Sequence, residues 1–395
     1  MSGLNALLDA LHAERTANQD SVLATVVKVE GSAYRRPGAR MLVSRYGNPE
    51  GTISGGCLEA EVTKKAWWLT ESGPVVRSYS TAVDDEDGEE SLSFGLGCNG
   101  KVFVLFERLP AKENSLLLEA LYMVRDKQRP AAIATVITAG PNSRARLGER
   151  LLLMPDQSYS GSLRHLELAE RISRDLKLTL ERGKSWLCCY TDAYGEVEVF
   201  LEYLAPPQRL VIFGAGHDAQ PLARMAKLLG WHVTVIDGRS HFARSERFPD
   251  ADLVLTADPS SPFAFANLVR GAAVVVMTHS LTQDSHWLRG VLHSQPHYVG
   301  QLGPRDRTER LLAGFSADGN ALPALHRLHY PMGLDLGGDT PESVAMSVLA
   351  EISASVNGRA GGSLKLRATK IHEPDPVAFA ELDSEVATFA RLSHR

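Results

Sequence analysis

Near residue 206 the apolar and polar positions along this chain change their pattern, and the change separates two kinds of architecture. Before it, short β-branched runs are bounded by glycine-rich turns and divided by segments of helical period, as strands crossed by helices should be. The run Leu23-Ala24-Thr25-Val26-Val27 recurs as Ile133-Ala134-Thr135-Val136-Ile137. At the same interval, Gly38-Ala39-Arg40-Met41-Leu42-Val43 recurs as Gly148-Glu149-Arg150-Leu151-Leu152-Leu153. Each copy continues through a turn and a helical stretch, ending near Gly73 or Gly183, into a closing strand, Lys101 to Glu107 or Glu196 to Glu202. The pattern predicts two related α/β halves, residues 20–108 and 130–204, packed on a shared sheet. Chance likeness between short apolar strands is the competing explanation. An amphipathic helix is expected ahead of the first copy, over MSGLNALLDALHAERTANQD.

Ala205-Pro206-Pro207-Gln208 reads as a short, stiff linker closing a domain of residues 1–204. Beyond it, apolar strand, glycine turn and helix alternate. Leu210 to Phe213, His232 to Ile236, Asp252 to Leu255, Ala273 to Met277 and Tyr298 to Val299 are expected as successive parallel strands of a doubly wound sheet. A last helix is expected over Pro341 to Val356, with Thr340 as N-cap and proline at the first helical position. The second domain therefore covers residues 208–357, and residues 358–395, Gly/Ser-rich and then charged, are expected to form a flexible tail. The predicted fold class is α/β throughout: a duplicated N-terminal α/β domain and a C-terminal Rossmann-like domain.

Composition narrows the function. A net charge of −5, with no basic run, gives no attraction to nucleic acid or to an anionic membrane. No segment has the length and apolarity of a membrane span or the apolar core of a signal peptide, so a cytoplasmic location is expected. Four cysteines without a CxxC pair or zinc spacing argue against a disulfide framework or a permanent structural metal.

Gly214-Ala215-Gly216-His217-Asp218-Ala219 directly follows the strand Leu210 to Phe213 and fits the dinucleotide-binding turn, with Asp237 closing the next strand. Gly214, Gly216 and His217 would face a phosphate at a helix N-terminus, Asp237 a ribose hydroxyl, and Arg239 a 2′-phosphate instead. Asp218 would compete with a pyrophosphate for the same positive helix end. His279, in Thr278-His279-Ser280 after another strand and with Asp284 nearby, could donate into the same crevice or simply cap a loop. Gly300 to Arg305 and Met332 to Gly338 follow later strands and could line it as well.

In the first half, Gly51-Thr52-Ile53-Ser54-Gly55-Gly56-Cys57-Leu58-Glu59 places Cys57 behind Gly55 and Gly56 and ahead of a helix. A helix N-terminus stabilises a thiolate, which suits sulfur transfer or metal contact, although a free cysteine is often only a small buried residue. Cys98, in Gly95-Leu96-Gly97-Cys98-Asn99-Gly100, invites the same two readings. The second copy has only Ser160-Gly161-Ser162 in place of the Cys57 motif; if the scaffold is duplicated, residues confined to one copy are better explained by chemistry than by folding. Cys188 and Cys189 alternate along a strand and read as packing. Arg36, in Arg35-Arg36-Pro37-Gly38, could meet a phosphate or an acidic partner, and Asp84 to Glu90 reads as a solvated acidic loop.

Together these motifs resemble the XdhC/CoxI family of molybdenum-hydroxylase accessory proteins. The match runs through Gly31-Ser32, Arg36 to Met41, Gly51 to Glu59, Gly95 to Cys98, Gly214 to His217, Met277 to Ser280, Pro331 to Asp335 and Thr340 to Glu342, and is weakest over residues 109–204. The resemblance implies a maturation factor without a metabolic substrate of its own. Such a protein binds molybdenum cofactor, aids its sulfuration with a cysteine desulfurase, and passes it to the apo-enzyme of a xanthine-dehydrogenase-type hydroxylase. Carried onto this chain, Cys57 and Cys98 are the expected cofactor- and sulfur-handling residues, in transient contact with molybdenum. A homodimer is expected from exposed strand edges.

The main alternative is an NAD(P)-dependent oxidoreductase using Gly214, Gly216 and Asp237, with His279 as general acid. It leaves the cysteine motifs without a task. A nucleotide-sensing scaffold with structural cysteines is a third reading.

Overall fold

The computed structural model describes residues 3–56, 58–80, 92–93, 100–154, 156–161, 163–192, 194–317, 322–368, 377–381 and 388–390. The chain forms two compact units, Gly3–Pro206 with His372–Arg395, and Pro207–Ile371.

The first unit begins with α1 (Gly3–Thr16), β1 (Ser21–Gly31), β2 (Arg40–Ser44), β3 (Glu50–Gly51), α2 (Glu59–Leu69), β4 (Val75–Ser80), β5 (Leu92–Ser93) and β6 (Gly100–Leu109). It continues with α3 (Leu116–Lys127), β7 (Ala131–Ala139), β8 (Arg150–Leu153), β9 (Tyr159–Gly161), α4 (Leu166–Arg182), β10 (Trp186–Asp192) and β11 (Gly195–Leu204). One sheet has the order β3-β2-β1-β6-β4-β5; the other contains the same sequence of equivalents, β9-β8-β7-β11-β10. The likeness extends to an irregularity. The β1–β6 register skips Val27, and the β7–β11 register skips Ile137, its counterpart in the repeat. Even the turn is copied: Gly38 N–H donates to Val26 O at 2.7 Å, and Gly148 N–H to Val136 O at 2.9 Å. Bulges and turns thus fall at matching positions in the two halves.

The halves do not share a sheet, as the sequence pattern suggests they should; each closes its own. Alternation along a strand decides this, because successive residues face opposite sides. Val22, Ala24 and Val26 face α2, while Ala132, Ala134 and Val136 face α4. The intervening Val27 and Ile137 meet in one buried cluster with Leu105, Leu187 and Phe200. Leu23, Leu42, Ile133 and Leu152 join α1 and α3 in another. The halves therefore join through apolar faces. Two ion pairs cross that junction reciprocally. Arg40 Nη2 lies 2.5 Å from Glu202, and Arg150 is bidentate to Glu107 at 2.6 and 2.8 Å.

The second unit contains β12 (Arg209–Phe213), α5 (Ala219–Leu228), β13 (His232–Asp237), β14 (Leu253–Thr256), α6 (Ala266–Val269), β15 (Ala273–Val276), α7 (Leu281–Leu292), β16 (Tyr298–Gln301), α8 (Arg305–Ala317), β17 (Leu328–His329) and α9 (Pro341–Val356). Its sheet is parallel, in the order β14-β13-β12-β15-β16-β17, the doubly wound arrangement expected from the strand–turn–helix pattern. Thr340 caps α9 in a reciprocal box with Ser343. Residues 358–395 are not a loose tail throughout. β18 (Val377–Glu381) pairs parallel to β10 in the first unit, and β19 (Thr388–Ala390) pairs antiparallel to β18. The short apolar run Val377-Ala378-Phe379-Ala380 satisfies an open edge of β10, and Ala378 is buried there.

Candidate functional site

Cys57 and Cys98 lie outside the described residues; Gly56 and Leu58 flank the first, while Ser93 and Gly100 are the nearest described residues to the second. The segment before α2 turns around one side chain. Glu59, first residue of that helix, accepts at Oε1 from the Thr52 hydroxyl at 2.5 Å and from the amides of Ile53, Ser54 and Gly55 at 2.9–3.1 Å. Its Oε2 accepts from the Ser54 hydroxyl at 2.5 Å, Gly56 N–H at 2.8 Å and Leu58 N–H at 3.1 Å. Burial alone would raise this carboxyl, but the hydroxyls of Ser54 and Thr52, with main-chain amides, outweigh it and hold it at about 2. Ile53 and Leu58 are fully buried on either side and pin the loop to the core.

Segments leading to the two cysteines approach the same end of the first sheet. Gly31 pairs with Gly100, which backs so closely onto Ser32 that a Cβ would meet its carbonyl oxygen at 2.1 Å. Just beyond, the Tyr34 ring lies against Gly55, and Arg35 Nε donates to Thr52 O at 3.2 Å. Residues 31–35 thus bridge the Gly100 end and the Cys57 loop. Arg36 follows, half-buried, and its carbonyl accepts from Ala39 N–H at 3.1 Å. Tyr34 itself is 75% exposed, so the rim presents an aromatic face.

Cys188 and Cys189 sit on β10. Cys188 is buried, and desolvation pushes its thiol up to about 12; the half-buried Cys189 is also raised, first by burial. Both behave as packing residues. Two open clefts of about 580 and 650 Å³ in this unit share Arg146 and Leu147, and neither is lined by the described residues of the Cys57 loop.

In the second unit, Gly214 has φ +121°, and a Cβ there would come 2.5 Å from Met277 O. Only glycine allows the turn to pass so close to the end of β15. The expected residues gather here. His217 is exposed, while Asp218 caps α5 and accepts from His279 Nε2 at 2.9 Å. The carboxylate stands over the turn, where a Cβ on Gly216 would meet Asp218 Oδ1 at 2.5 Å. Asp237 differs from its expected role. It is fully buried, and its oxygens accept from Ala215 N–H at 2.7 Å and from Arg239 N–H, Nε and Nη2 at 2.8–3.0 Å. Burial pushes this carboxyl up, but the Arg239 guanidinium and the two amides bring it below the usual aspartate range. Arg239 covers Asp237 and stacks at 4.0 Å on Phe242, so the acid does not face a ribose.

Sequence reasoning missed the roles of two residues. One is Glu59, whose signal was hydroxyls and glycines gathered just before an acid at a helix start. The other is Asp284, 1% exposed, which accepts from Thr278 N–H and hydroxyl, Gln301 Nε2 and Arg307 Nη2 and ties β15 to β16 beneath His279.

An α/β unit of two like halves, one carrying a glycine-cysteine loop, followed along the chain by a parallel sheet of Rossmann order, defines the class. Residues 210–352 match the XdhC Rossmann domain, and residues 15–80 match the XdhC and CoxI family. The chain is 32% identical, over 89% of its length and 97% of the relative's, to a Bacillus subtilis protein described as a probable subunit of xanthine dehydrogenase. It is 22% identical to the Escherichia coli molybdenum cofactor insertion chaperone PaoD, over 86% of this chain and 84% of PaoD. A crystal structure of a protein described as a xanthine dehydrogenase from Bacillus halodurans superposes with a TM-score of 0.69 at 29% identity, covering 92% of this chain and 98% of that one. This chain belongs to the XdhC and CoxI family. Among the described residues, no helix is long and apolar enough to cross a membrane.

Proposed function

We propose that this protein is a cytoplasmic maturation factor that binds molybdenum cofactor, aids its sulfuration with a cysteine desulfurase, and delivers it to a xanthine-dehydrogenase-type hydroxylase. The observation that carries this reading is the carboxylate-bound loop around Cys57, built in one half of a duplicated unit and missing from the other. A thiol at the start of α2 suits transient contact with a soft metal centre or a sulfur atom in transit. Kinship with a protein named for xanthine dehydrogenase and with a cofactor insertion chaperone supports the same cargo and recipient. Cys57 and Cys98 are the proposed contacts, with Arg36, Gly55 and Gly56 at the same end of the sheet.

An NAD(P) site is the weaker reading. The Gly214 turn favours a phosphate at the start of α5. Asp218 opposes it by occupying the mouth of that turn, and Asp237 opposes it by being closed off under Arg239.

The test is anaerobic titration of the purified protein with molybdenum cofactor, reading molybdenum retained after desalting. Retention by the wild type and its loss in Cys57→Ala is the expected result. No retention by the wild type, together with tight NAD(P) binding, would overturn the proposal.

A further inference from the structure

We infer that Glu59 is the positioning residue of the cysteine loop: its carboxylate gathers the main-chain amides on both sides of Cys57. The inference rests on the cofactor-carrying reading for what the loop does, and on geometry for how it is held.

Five amides, of Ile53, Ser54, Gly55, Gly56 and Leu58, and the hydroxyls of Thr52 and Ser54 converge on one carboxylate. A glycine-rich turn ahead of a helix usually points such donors outward and receives a phosphate or carboxylate of a ligand. Here the chain supplies the anion itself. The neighbours of Cys57 on both sides, Gly56 and Leu58, donate to the same oxygen, so the backbone entering and leaving the cysteine is fixed to one point. The hydroxyls brace the arrangement further. Thr52 Oγ1 accepts from Gly55 N–H at 2.9 Å, and Ser54 Oγ accepts from Leu58 N–H at 2.8 Å.

The second half shows that the fold does not need this. Among the described residues, β9 leads into α4 without a comparable carboxylate: the first-turn acid there, Glu167, is 82% exposed and stands 3.9 Å from His165. The half without the cysteine motif thus also lacks the carboxylate hub. Among the described residues, the amides of Ile53, Ser54, Gly55, Gly56 and Leu58 are all occupied by this internal anion.

The full-length protein, Glu59→Ala and the isosteric Glu59→Gln can be compared with and without sodium formate. Three quantities are read: cofactor affinity, the alkylation rate of Cys57 resolved by peptide mass spectrometry, and the melting temperature. Loss of a group that orients a ligand typically lowers affinity about ten- to a hundredfold. Glu59→Ala should show a loss of that size and an altered Cys57 alkylation rate. Formate, entering the vacated ring of donors, should restore both. Glu59→Gln should not be rescued, because its amide fills the space and turns N–H groups toward the loop's own donors. Wild-type alkylation and affinity in Glu59→Ala would overturn the inference, as would losses that formate leaves unchanged. Failure of the wild type to retain cofactor would defeat the carrier reading alone, since alkylation still decides the role of Glu59. Should Glu59→Ala not fold, the same readouts on folded Glu59→Gln decide: unchanged alkylation overturns the inference.

Discussion

The two halves of the first unit share strand order, bulge position and turn hydrogen bonds, yet they place their polar networks in opposite ways. In the first half the polar network lies in the loop before α2, around Glu59, while the buried residues of α2 itself are the apolar Val62 and Ala66. In the second half the loop is plain and the network lies under the helix. Arg171 and Asp175 on α4 are buried, with Arg171 Nε 3.5 Å from Asp175 and the Tyr190 hydroxyl donating to Asp175 at 2.8 Å. The two halves keep one scaffold, with the polar network at the rim of one and in the interior of the other. The difference teaches that a scaffold tolerates either arrangement, so the one that shapes an exposed loop calls for a reason beyond folding.

The comparison can be broken most severely at the junction. Removing one member of a buried ion pair leaves the other charge uncompensated and costs about 3–5 kcal/mol. Glu107→Ala and Glu202→Ala should each lose stability of that order in urea unfolding, because the partners are equivalents across the junction. A large loss in one and none in the other would show that the pairs are not equivalent. Next in size is Ile137→Ala, expected to cost about 2–5 kcal/mol by leaving a cavity between the sheets. Val27→Ala should cost roughly 0.8 kcal/mol less, for one methylene fewer.

Acid sharpens the contrast. Glu59 is held at about 2, below its ordinary value near 4.5, so its contribution is full above the ordinary value and fades as pH falls toward 2. Asp175 is raised, first by burial, so its contribution is full below the ordinary aspartate range and is lost as pH rises through the folded value. Hydrogen exchange between pH 6 and pH 3, corrected for the intrinsic rate, should therefore show protection falling at the start of α2 and rising along α4. Parallel changes in both helices would remove the distinction. The smallest effect is expected from Tyr34→Ala. The ring is mostly exposed, so stability should move by no more than about 0.5 kcal/mol, while Cys57 alkylation should quicken as the loop loses a neighbour.

Much of this is legible in the chain. Matched runs at Leu23 and Ile133, and matched glycines at Gly38 and Gly148, announce the repeat, and Gly214 after an apolar strand announces the parallel sheet. The joining of the halves is not legible. Arg40, Glu107, Arg150 and Glu202 read as surface charge until their register is known, and only reciprocal pairing offsets the cost of burying them. Spacing alone cannot reveal that Arg239 folds back over Asp237. Glu59 looks like an ordinary first-turn acid, because a local sequence does not state that a carboxylate will curl back on its own loop. The strand Val377–Glu381 is hidden by its setting, a short run among charged residues with a partner far away in sequence.

That last strand constrains how the protein is made. The first unit is interrupted at Pro206 and resumes only after the whole of the second unit. At the usual ~5–20 residues per second, the stretch from Pro206 to Val377 takes roughly ten to thirty seconds to synthesise. Throughout that interval β10 emerges with its outer hydrogen-bonding edge open, a template on which a neighbouring nascent chain can pair as readily as β18 will. On a crowded polysome, the yield of this protein should therefore depend on how quickly the second unit folds and lets the returning strand arrive.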